Sequence, residues 1–409
     1  MSNGESPAEP LEGIRVLELG SFIAGPSTSR ILGEFGAEVI KIERPRVGDE
    51  IRRWRTRDST SSLLWQFLAR NKKSVTVDLR QPEGRRIALG IARECDVLVE
   101  NFRPGTLERW GLSPEELREQ NPDLVVVRIS GYGQSGPYRD RPGFGGVAEA
   151  LGGVRYLTGH PELPPTRVGV ALADSLAGLY GVIGALMGLL KRGAVPSPAR
   201  GETVDVALYE AVFAITETLV TEFEAYGTLR ERTGSSMPGI APSNTYPCKG
   251  DNWVVIGGNA DGPFHRLMLA IGREDLADDV SIATNEGRVV RAEEIDDAIA
   301  AWTSQHEIAE VVDTLAEAGC PAGPIYSAAD ILADPHFRAR QMLVNQKAQL
   351  DADTQAEISF PGVVPKLTES PGHVRRPGPG LGEDTEQVLH DLLGLEISQI
   401  DDLRSQGVI

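Results

Sequence analysis

The sequence predicts an α/β fold with a parallel, doubly wound sheet in a large domain and a second, smaller α+β domain. Two observations support this class. Short apolar runs alternate with helix-like segments through roughly the first 205 residues, which is typical of a parallel sheet with connecting helices. The chain has 409 residues, which is enough for two or three domains of ordinary size.

The elements follow one another as a doubly wound sheet requires. A strand at 13–19 ("GIRVLEL") is followed by the turn-rich "GSFIAGPSTS" and a helix, and the strand 37–43 ("AEVIKIE") comes next. "SVTVDL" then leads to Pro82, which stands where proline favours the first turn of a helix. Strands at 96–100 ("DVLVE") and 123–130 ("DLVVVRIS") complete the series.

The later segments differ in character, which predicts the domain organisation. We place the large domain at 1–205, followed by a linker helix at 206–230 and a small α+β domain at 231–334. The stretch "GHVRRPGPGLGEDTEQVLHDLLGL" combines a Pro/Gly-rich run with a helix. We therefore expect the C-terminal segment 335–409 to pack back on the large domain and complete it.

The segment 170–192, "VALADSLAGLYGVIGALMGLLKR", raises a separate question. It has a single carboxylate, Asp174, and glycines at 178, 181, 184 and 188, although each glycine costs about 1 kcal/mol in a helix relative to alanine. The uncharged run is shorter than the ~20 apolar residues of a membrane span. The glycines share one helical face, which predicts a helix inside the protein with a close neighbour. Asp174 is then either a helix N-cap or a functional carboxylate.

Composition and charge exclude several classes of function. The net charge of −18 disfavours non-specific binding of nucleic acid. The first ten residues contain no apolar run typical of a signal peptide. Cys95, Cys248 and Cys320 are far apart and uneven in number, which fits a reducing cytoplasm. The six scattered histidines and three cysteines predict no protein-built metal site.

The turn after the first strand lies where many parallel sheets bind a nucleotide, but its residues differ from those of an NAD site. "GSFIAGP" is not the GxGxxG fingerprint, and Glu43 at the end of the second strand is followed by Arg44, whereas an NAD site has an acidic residue alone there. Between Lys41 and Asp58 there are seven basic and four acidic residues. This stretch is either a solvated face of mixed charge or an anion site for a phosphorylated ligand.

Several longer motifs follow one another along the chain, among them "LELGSFIAGPSTSRILGEFGAEVIKIERPRVGD", "VLVENFRPGTLERWGL", "ISGYGQSGPYRDRPG", "ADSLAGLYGVIGAL" and "AGCPAGPIYSAADILADPHFRAR". Together they resemble the class III CoA-transferases, the family of formyl-CoA transferase and carnitine CoA-transferase. The resemblance covers nearly the whole chain. It implies a Rossmann-like large domain, a CoA thioester as substrate rather than a tightly bound cofactor, and a homodimer whose two chains interlock.

The resemblance also implies site residues. Asp174, in the element Asp174 to Gly178, matches the nucleophile that would carry first the acyl group and then CoA. Gly257 and Gly258 match a catalytic glycine loop whose N–H groups could face an oxyanion. Residues that match the family's CoA contacts are Phe22, Ile23, Ala24, Arg44, Val77, Arg80, Asn101, Phe102, Arg109 and Arg141. We expect Asp174 to be ionised at neutral pH, with a pKa near the ordinary ~3.9, and favoured by the helix N-terminus.

Racemases of the same fold are the alternative class, and they use a histidine as base. Phe144 in "RPGFGG" occupies the matching position, and phenylalanine cannot transfer a proton. The first turn (Ile23 to Pro26) and the loop Ile256 to Asn259 depart from formyl-CoA transferases. The stretch "RISGYGQSGPYRDRPGFGGVAEALGGVRYLTG" resembles the branch that uses succinyl-CoA with acceptors such as malate, citramalate, itaconate or mesaconate. Arg141, Arg155 or Arg167 could bind a distal carboxylate; carnitine-type or aromatic acids stay open.

Overall fold

A computed structural model describes residues 8–56, 62–194 and 200–409. The chain divides into two compact units. The first comprises the chain up to Val154, Val168–Glu217 and Arg338–Ile409, and the second comprises Arg155–Arg167 and Thr218–Phe337. These bounds differ from the predicted ones at 205, 230 and 334.

Two local features account for the difference. The strand that follows residue 200 is the sixth of the central sheet, so the chain cannot leave the first unit at 205. Residues 155–167 join the second unit because Gly234 N–H donates to the Gly159 carbonyl at 3.1 Å and the Tyr156 hydroxyl donates to Glu231 at 2.6 Å.

The first unit is built on a six-stranded parallel sheet, which confirms the predicted α/β class. Its strands are β1 (Arg15–Glu18), β2 (Glu38–Glu43), β3 (Lys72–Thr76), β4 (Val97–Glu100), β5 (Val125–Ser130) and β6 (Glu202–Ala207). Their order in the sheet is β3-β2-β1-β4-β5-β6. The chain therefore reverses its direction of travel between β1 and β4, and ligands of such sheets bind at the carboxyl ends of the strands at this point.

Helices cover both faces of this sheet. The helices of the first unit are α1 (Ala24–Glu34), α2 (Leu63–Leu68), α3 (Pro82–Arg93), α4 (Thr106–Arg109), α5 (Pro114–Gln120), α6 (Gly145–Leu151), α8 (Leu172–Ala194) and α9 (Leu208–Phe213). The short helix α7 (Val154–Leu157) begins the segment that belongs to the second unit. Alternate strand residues enter two separate cores. Leu17 and Leu98 pack with α3 and α5, and Val16 and Val97 pack with α1, α8 and α9.

The glycine face of α8 packs against the sheet and α1, which answers the question raised by its sequence. A Cβ at Gly178 would lie 2.9 Å from Ser27 Cβ, and one at Gly188 would lie 2.8 Å from Val125 Cγ1. The Thr28 hydroxyl donates to the Gly178 carbonyl at 3.1 Å, which is possible only at this close approach. Within the described ranges α8 is the one helix long and apolar enough to cross a membrane, judged by length and composition alone. Its glycines are instead used for packing in the core.

The second unit has its own antiparallel sheet and core. Its elements are α10 (Leu219–Tyr226), β7 (Asn244–Cys248), β8 (Asn252–Ile256), α11 (Asp261–Ala270), α12 (Glu274–Ala277), α13 (Asn285–Val290), α14 (Ala292–Thr303), α15 (Ile308–Glu317), β9 (Ala322–Pro324) and α16 (Ala328–Ala333). The strands pair in the order β7-β8-β9. Val254 and Ile256 of the central strand pack under α11, α14 and α15.

The C-terminal segment returns to the first unit. It contains α17 (Pro335–Ala339), the hairpin β10 (Leu343–Gln349) and β11 (Gln355–Pro361), α18 (Thr385–Leu393) and α19 (Ile397–Ser405). Val388 and Leu389 of α18 enter the core beside α3. The Ser74 N–H of β3 donates to Asp384 at 2.8 Å, so the returning segment also anchors the edge of the sheet.

Candidate active site

Asp174 lies in the first turn of α8, as the third residue of the helix, so the N-cap interpretation is wrong. Its carboxylate is directed at the start of α6. A Cβ at Gly145, the first residue of α6, would clash with Asp174 Oδ2. Phe144, which precedes Gly145, is 67% exposed. Glycine at 145 therefore allows the carboxylate to lie against the α6 backbone.

The environment of Asp174 raises the pKa of its carboxyl group, whereas we expected an ordinary pKa and a helix N-terminus that favours the ionised form. Burial and, secondarily, the negative charge of Glu149 raise the pKa of Asp174 to about 6, against the smaller lowering effect of its own backbone hydrogen bond. Glu149 is itself buried in α6. The expectation of an ordinary pKa was wrong because the fold buries the carboxylate and, to a smaller extent, because α6 brings a second carboxylate close to it. When ionised, Asp174 is a stronger base than a typical aspartate, and hence a better nucleophile.

A cavity of about 260 Å³ opens at the carboxyl ends of the sheet strands, beside the point where the chain reverses direction. Five of the ten predicted CoA contacts line it: Phe22, Arg44, Val77, Arg80 and Phe102. They come from the segments that follow β1, β2, β3 and β4. Residues separated by up to 80 positions in the sequence are thus brought to one surface by the parallel topology.

The aromatic residues of the cavity are held by specific contacts. Phe22 has a φ of 63°, which is rare for a residue with a side chain, and its N–H donates to Asp49 Oδ1 at 3.1 Å. The rings of Phe102 and Trp110 form a T-shaped pair with centroids 5.2 Å apart, and both residues line the cavity. Apolar walls with a few polar groups are typical of small-molecule sites.

The other predicted contacts do not line this cavity in the described part of the chain. Asn101 instead stabilises the turn after β1 through two hydrogen bonds to the Ser21 backbone. Its Oδ1 accepts from the Ser21 N–H at 2.8 Å, and its Nδ2 donates to the Ser21 carbonyl at 2.7 Å. Ile23 precedes α1 and Ala24 is its first residue, where it is buried. The Arg109 guanidinium donates to Thr106 at 2.9 Å, and Arg141 stacks on Tyr138 at 3.7 Å.

Part of the basic stretch between Lys41 and Asp58 is neutralised by ion pairs. Lys41 is buried, and its Nζ lies 2.6 Å from Glu18 and 2.9 Å from Asp49. Arg52 pairs with Glu43 at 2.7 Å. Arg57 and Asp58, which belong to the predicted anion site, lie outside the described residues.

Two arginines of the cavity differ in their availability for an anion. Within the described residues Arg44 has no ion pair and is exposed. Arg80 binds Asp78 through two contacts of 2.8 Å. Arg44 is therefore the cation of this wall that is most available to a phosphate.

Sequence reasoning missed a shell of charged residues behind the cavity. Glu100 is buried at the end of β4, where its carboxylate accepts from Phe102 N–H at 2.7 Å and from Arg128 Nε at 2.8 Å. A charged residue at the end of an otherwise apolar strand was the available signal. Among the described residues no cluster of His, Cys, Asp or Glu could hold a metal ion.

The predicted glycine loop belongs to the second unit. The N–H of Gly257 donates to the Pro321 carbonyl at 2.9 Å, so it cannot serve an oxyanion as we expected. Within the described residues the N–H of Gly258 has no acceptor. A Cβ at Gly258 would lie 2.6 Å from Leu267, whereas no described residue lies within 4 Å of a Cβ at Gly257.

Comparisons with known proteins identify relatives of the whole chain. The family model described as CoA-transferase family III matches residues 11–385. The succinyl-CoA–D-citramalate CoA-transferase of Chloroflexus aurantiacus is 46% identical over 408 residues, and the match covers 100% of both chains. The succinyl-CoA–L-malate CoA-transferase beta subunit of the same organism is 43% identical, also over 100% of both chains.

A solved structure agrees with these matches. The crystal structure of a CAIB/BAIF family protein from Brucella suis has a TM-score of 0.81 and 32% identity, and the match covers 94% of this chain and 100% of that one. The family model spans both units, and the relatives match from end to end. The chain is an enzyme that belongs to CoA-transferase family III.

Proposed function

We propose that this enzyme transfers CoA from succinyl-CoA to a C4–C5 dicarboxylic acid, with Asp174 as the covalent carrier. The observation that carries the proposal is the half-buried Asp174 carboxylate, placed against Gly145 at the start of α6 with a raised pKa. A carboxylate in such an environment is well suited to form a covalent acyl intermediate.

The reaction would proceed in two symmetrical halves. The ionised Asp174 attacks the donor thioester carbonyl and expels the CoA thiolate, which leaves a mixed anhydride. The thiolate attacks the aspartyl carbonyl, releases the donor acid as a carboxylate and leaves an aspartyl-CoA thioester. The acceptor carboxylate then expels the thiolate to form a second anhydride, and the thiolate attacks the acceptor acyl carbon to release the product and free Asp174.

The surroundings of Asp174 favour these covalent states. Each intermediate replaces the carboxylate by a neutral anhydride or thioester, which removes the repulsion from Glu149. The CoA thioester would bind in the cavity lined by Phe22, Arg44 and Phe102, with Arg44 near a phosphate. We assign the oxyanion contact in the second unit to Gly258 rather than Gly257, because the Gly257 N–H is already bonded.

The choice of substrate is supported by the relatives that act on succinyl-CoA with citramalate or malate. Arg141, Arg155 or Arg167 would bind the distal carboxylate of the acceptor, because a guanidinium can pair with a carboxylate through two parallel hydrogen bonds. The racemase alternative lacks its base because Phe144 stands at the histidine position. Carnitine-type or aromatic acceptors are the alternative within CoA transfer.

We also propose that the enzyme is an interlocked homodimer of the cytoplasm. The outward face of α8 carries four exposed apolar side chains, at Leu179, Ile183, Met187 and Leu190. A contiguous apolar face of this kind is typical of an interface. The three buried free cysteines fit a reducing compartment. Size-exclusion chromatography with light scattering tests the dimer, and Ile183→Glu with Met187→Glu should prevent its assembly.

The experiment that tests the substrate is a screen of CoA transfer. Purified enzyme is incubated with succinyl-CoA and one acid at a time, and the CoA products are identified by mass spectrometry. We expect new thioesters with citramalate, malate, itaconate or mesaconate and none with Asp174→Ala. Equal kcat/KM for malate and butyrate, two acceptors of the same chain length, would contradict the dicarboxylate assignment.

A further inference from the structure

We propose that Glu100 is a positioning residue for the CoA-thioester cavity: its buried carboxylate holds the Phe102 backbone and, through Arg128 and Glu108, the helix that ends beside Trp110. This inference rests on the proposed function, because it takes the cavity as the binding site of the thioester. Glu100 does not need to touch the substrate for this role.

The first link is the contact between Glu100 and the cavity wall. Glu100 ends β4 and is 1% exposed. Its Oε2 accepts from the Phe102 N–H at 2.7 Å, and Phe102 lines the cavity. A hydrogen bond to an ionised acceptor is stronger than a neutral one. The carboxylate thus determines where the chain turns out of the sheet.

The second link runs through the neighbouring strand. Arg128 on β5 is buried and donates from Nε to Glu100 Oε1 at 2.8 Å. Its other end donates to Glu108 Oε1 at 2.7 Å, and Glu108 lies on α4, which is followed directly by Trp110. One buried guanidinium, that of Arg128, therefore binds Glu100 at the start of the segment 100–110 and Glu108 near its end. Phe102 and Trp110, whose rings meet at 5.2 Å, are positioned together.

The protonation of Glu100 provides a readout that a purely structural ion pair would not give. Burial raises the pKa of Glu100 to about 7, although the hydrogen bond and charge of Arg128 oppose the shift. The charged groups that face it are Arg128 from β5 and Glu108 from α4, and Arg139 acts in turn on Glu108. From β1 the neighbour is the uncharged Leu19, whose N–H bonds the Val99 carbonyl.

The pH dependence follows from this assignment. Above pH 7 the carboxylate accepts from both the Phe102 N–H and Arg128. Below pH 7 it gains a proton, loses its charge and turns one oxygen into a donor, so one of the two donors loses its acceptor. We therefore expect the affinity for CoA to fall as the pH falls through about 7.

The test is CoA binding by isothermal titration calorimetry between pH 5.5 and 8.5, without an acyl donor so that no transfer occurs. Glu100→Gln keeps the shape of the side chain but can accept from only one donor. We expect it to raise the Kd about tenfold at pH 8, as for the loss of a charged hydrogen bond. Its Kd should also lack the wild-type change near pH 7. Titration of the CoA phosphate, with a pKa of about 6, affects both proteins equally and cancels in their ratio.

Two further variants keep the proposal falsifiable if Glu100→Gln does not fold. Glu108→Gln removes the outer carboxylate, whose side chain is 42% exposed, and should raise the Kd about two- to threefold without lowering the unfolding temperature. Glu119→Gln makes the same charge change at an exposed position on α5 and should bind like wild type. A wild-type Kd at pH 8 in Glu100→Gln would overturn the proposal, and so would a wild-type Kd in Glu108→Gln if Glu100→Gln does not fold. Failure of the wild type to bind CoA at any pH would instead overturn the proposed function.

Discussion

The carboxylate of Asp174 lies against the backbone of Gly145, at a distance that only a residue without a Cβ allows. The two residues are 29 positions apart and belong to different helices, α8 and α6. In the proposed mechanism the position of this carboxylate decides whether it can reach the thioester carbonyl. Gly145 is thus as much a requirement of the site as Asp174 itself.

Gly145→Ala should therefore lower kcat while the protein stays folded. The added methyl group would displace Asp174 Oδ2, and a misplacement of about 1 Å can cost on the order of 100-fold in rate. Steady-state kinetics should show the loss in kcat, with KM for the CoA thioester nearly unchanged. Gly193→Ala is the matched control on α8, because no described residue lies within 4 Å of its Cβ. Full activity of Gly145→Ala would show that the carboxylate position is not critical.

Asp174→Asn should stabilise the protein at neutral pH. The folded-state pKa of about 6 exceeds the unfolded value of ~3.9, so the native state binds a proton more tightly and ionisation above pH 6 opposes folding. The variant should gain on the order of 1–2 kcal/mol in free energy of unfolding at pH 7.5. The gain should shrink as the pH falls from 6 to 4, because the carboxyl of the unfolded wild type then also begins to bind a proton. Urea denaturation at pH 7.5, 6 and 4 measures this difference, and equal stability at all three values would refute the raised pKa.

Arg44→Ala should weaken binding of the CoA thioester without a change in fold. Arg44 lines the cavity and has no ion pair among the described residues. Its removal deletes one contact to a phosphate and should raise the KM for the CoA thioester about tenfold. The effect should diminish at high salt, because the site is exposed. Arg86→Ala on α3, which is also exposed, should have a wild-type KM. If Arg44→Ala matches Arg86→Ala at moderate salt, the CoA phosphates bind elsewhere.

Alanine at Gly258 should lower the stability of the protein, whereas alanine at Gly257 should lower its activity and leave its stability unchanged. A Cβ at Gly258 would meet Leu267 at 2.6 Å and Pro242 at 3.4 Å, so Gly258→Ala should destabilise the second unit by about 1–3 kcal/mol. A Cβ at Gly257 meets no described residue within 4 Å, so Gly257→Ala should keep the unfolding temperature. If the open side of Gly257 accommodates the reacting thioester, kcat/KM should still fall. A stable and fully active Gly257→Ala would place the substrate away from this glycine.

The strands of the first unit could be predicted because their local signal and their tertiary environment agree. Val97, Leu98 and Val99 are apolar in sequence and buried in the sheet, so the prediction of a strand at 96–100 needed no long-range information. The glycine face of α8 likewise predicted a close neighbour. The identity of that neighbour, α1 and Val125, depends on the order of strands in the sheet, which the local pattern does not contain.

The incorrect predictions at the site share one physical origin. The pKa of Asp174 depends first on its burial and then on the charge of Glu149, and the N–H of Gly257 is used by Pro321, 64 positions later. Lys41 was counted as part of an anion site, although Glu18 and Asp49 neutralise it in the fold. The family resemblance singled out candidate groups, but their charge state and free hydrogen-bonding capacity depend on partners distant in sequence.

The most direct measurement of the central claim is capture of CoA on Asp174. Enzyme is incubated with the donor thioester alone and treated with borohydride, which reduces an aspartyl-CoA thioester to an alcohol, or with hydroxylamine, which converts it to a hydroxamate. Peptide mass mapping should then place the modification on Asp174, within the peptide Val170 to Lys191, and Asp174→Asn should show neither the modification nor transfer. An unmodified Asp174 in an enzyme that turns over, or full transfer by Asp174→Asn after mass spectrometry has excluded deamidation, would contradict the mechanism.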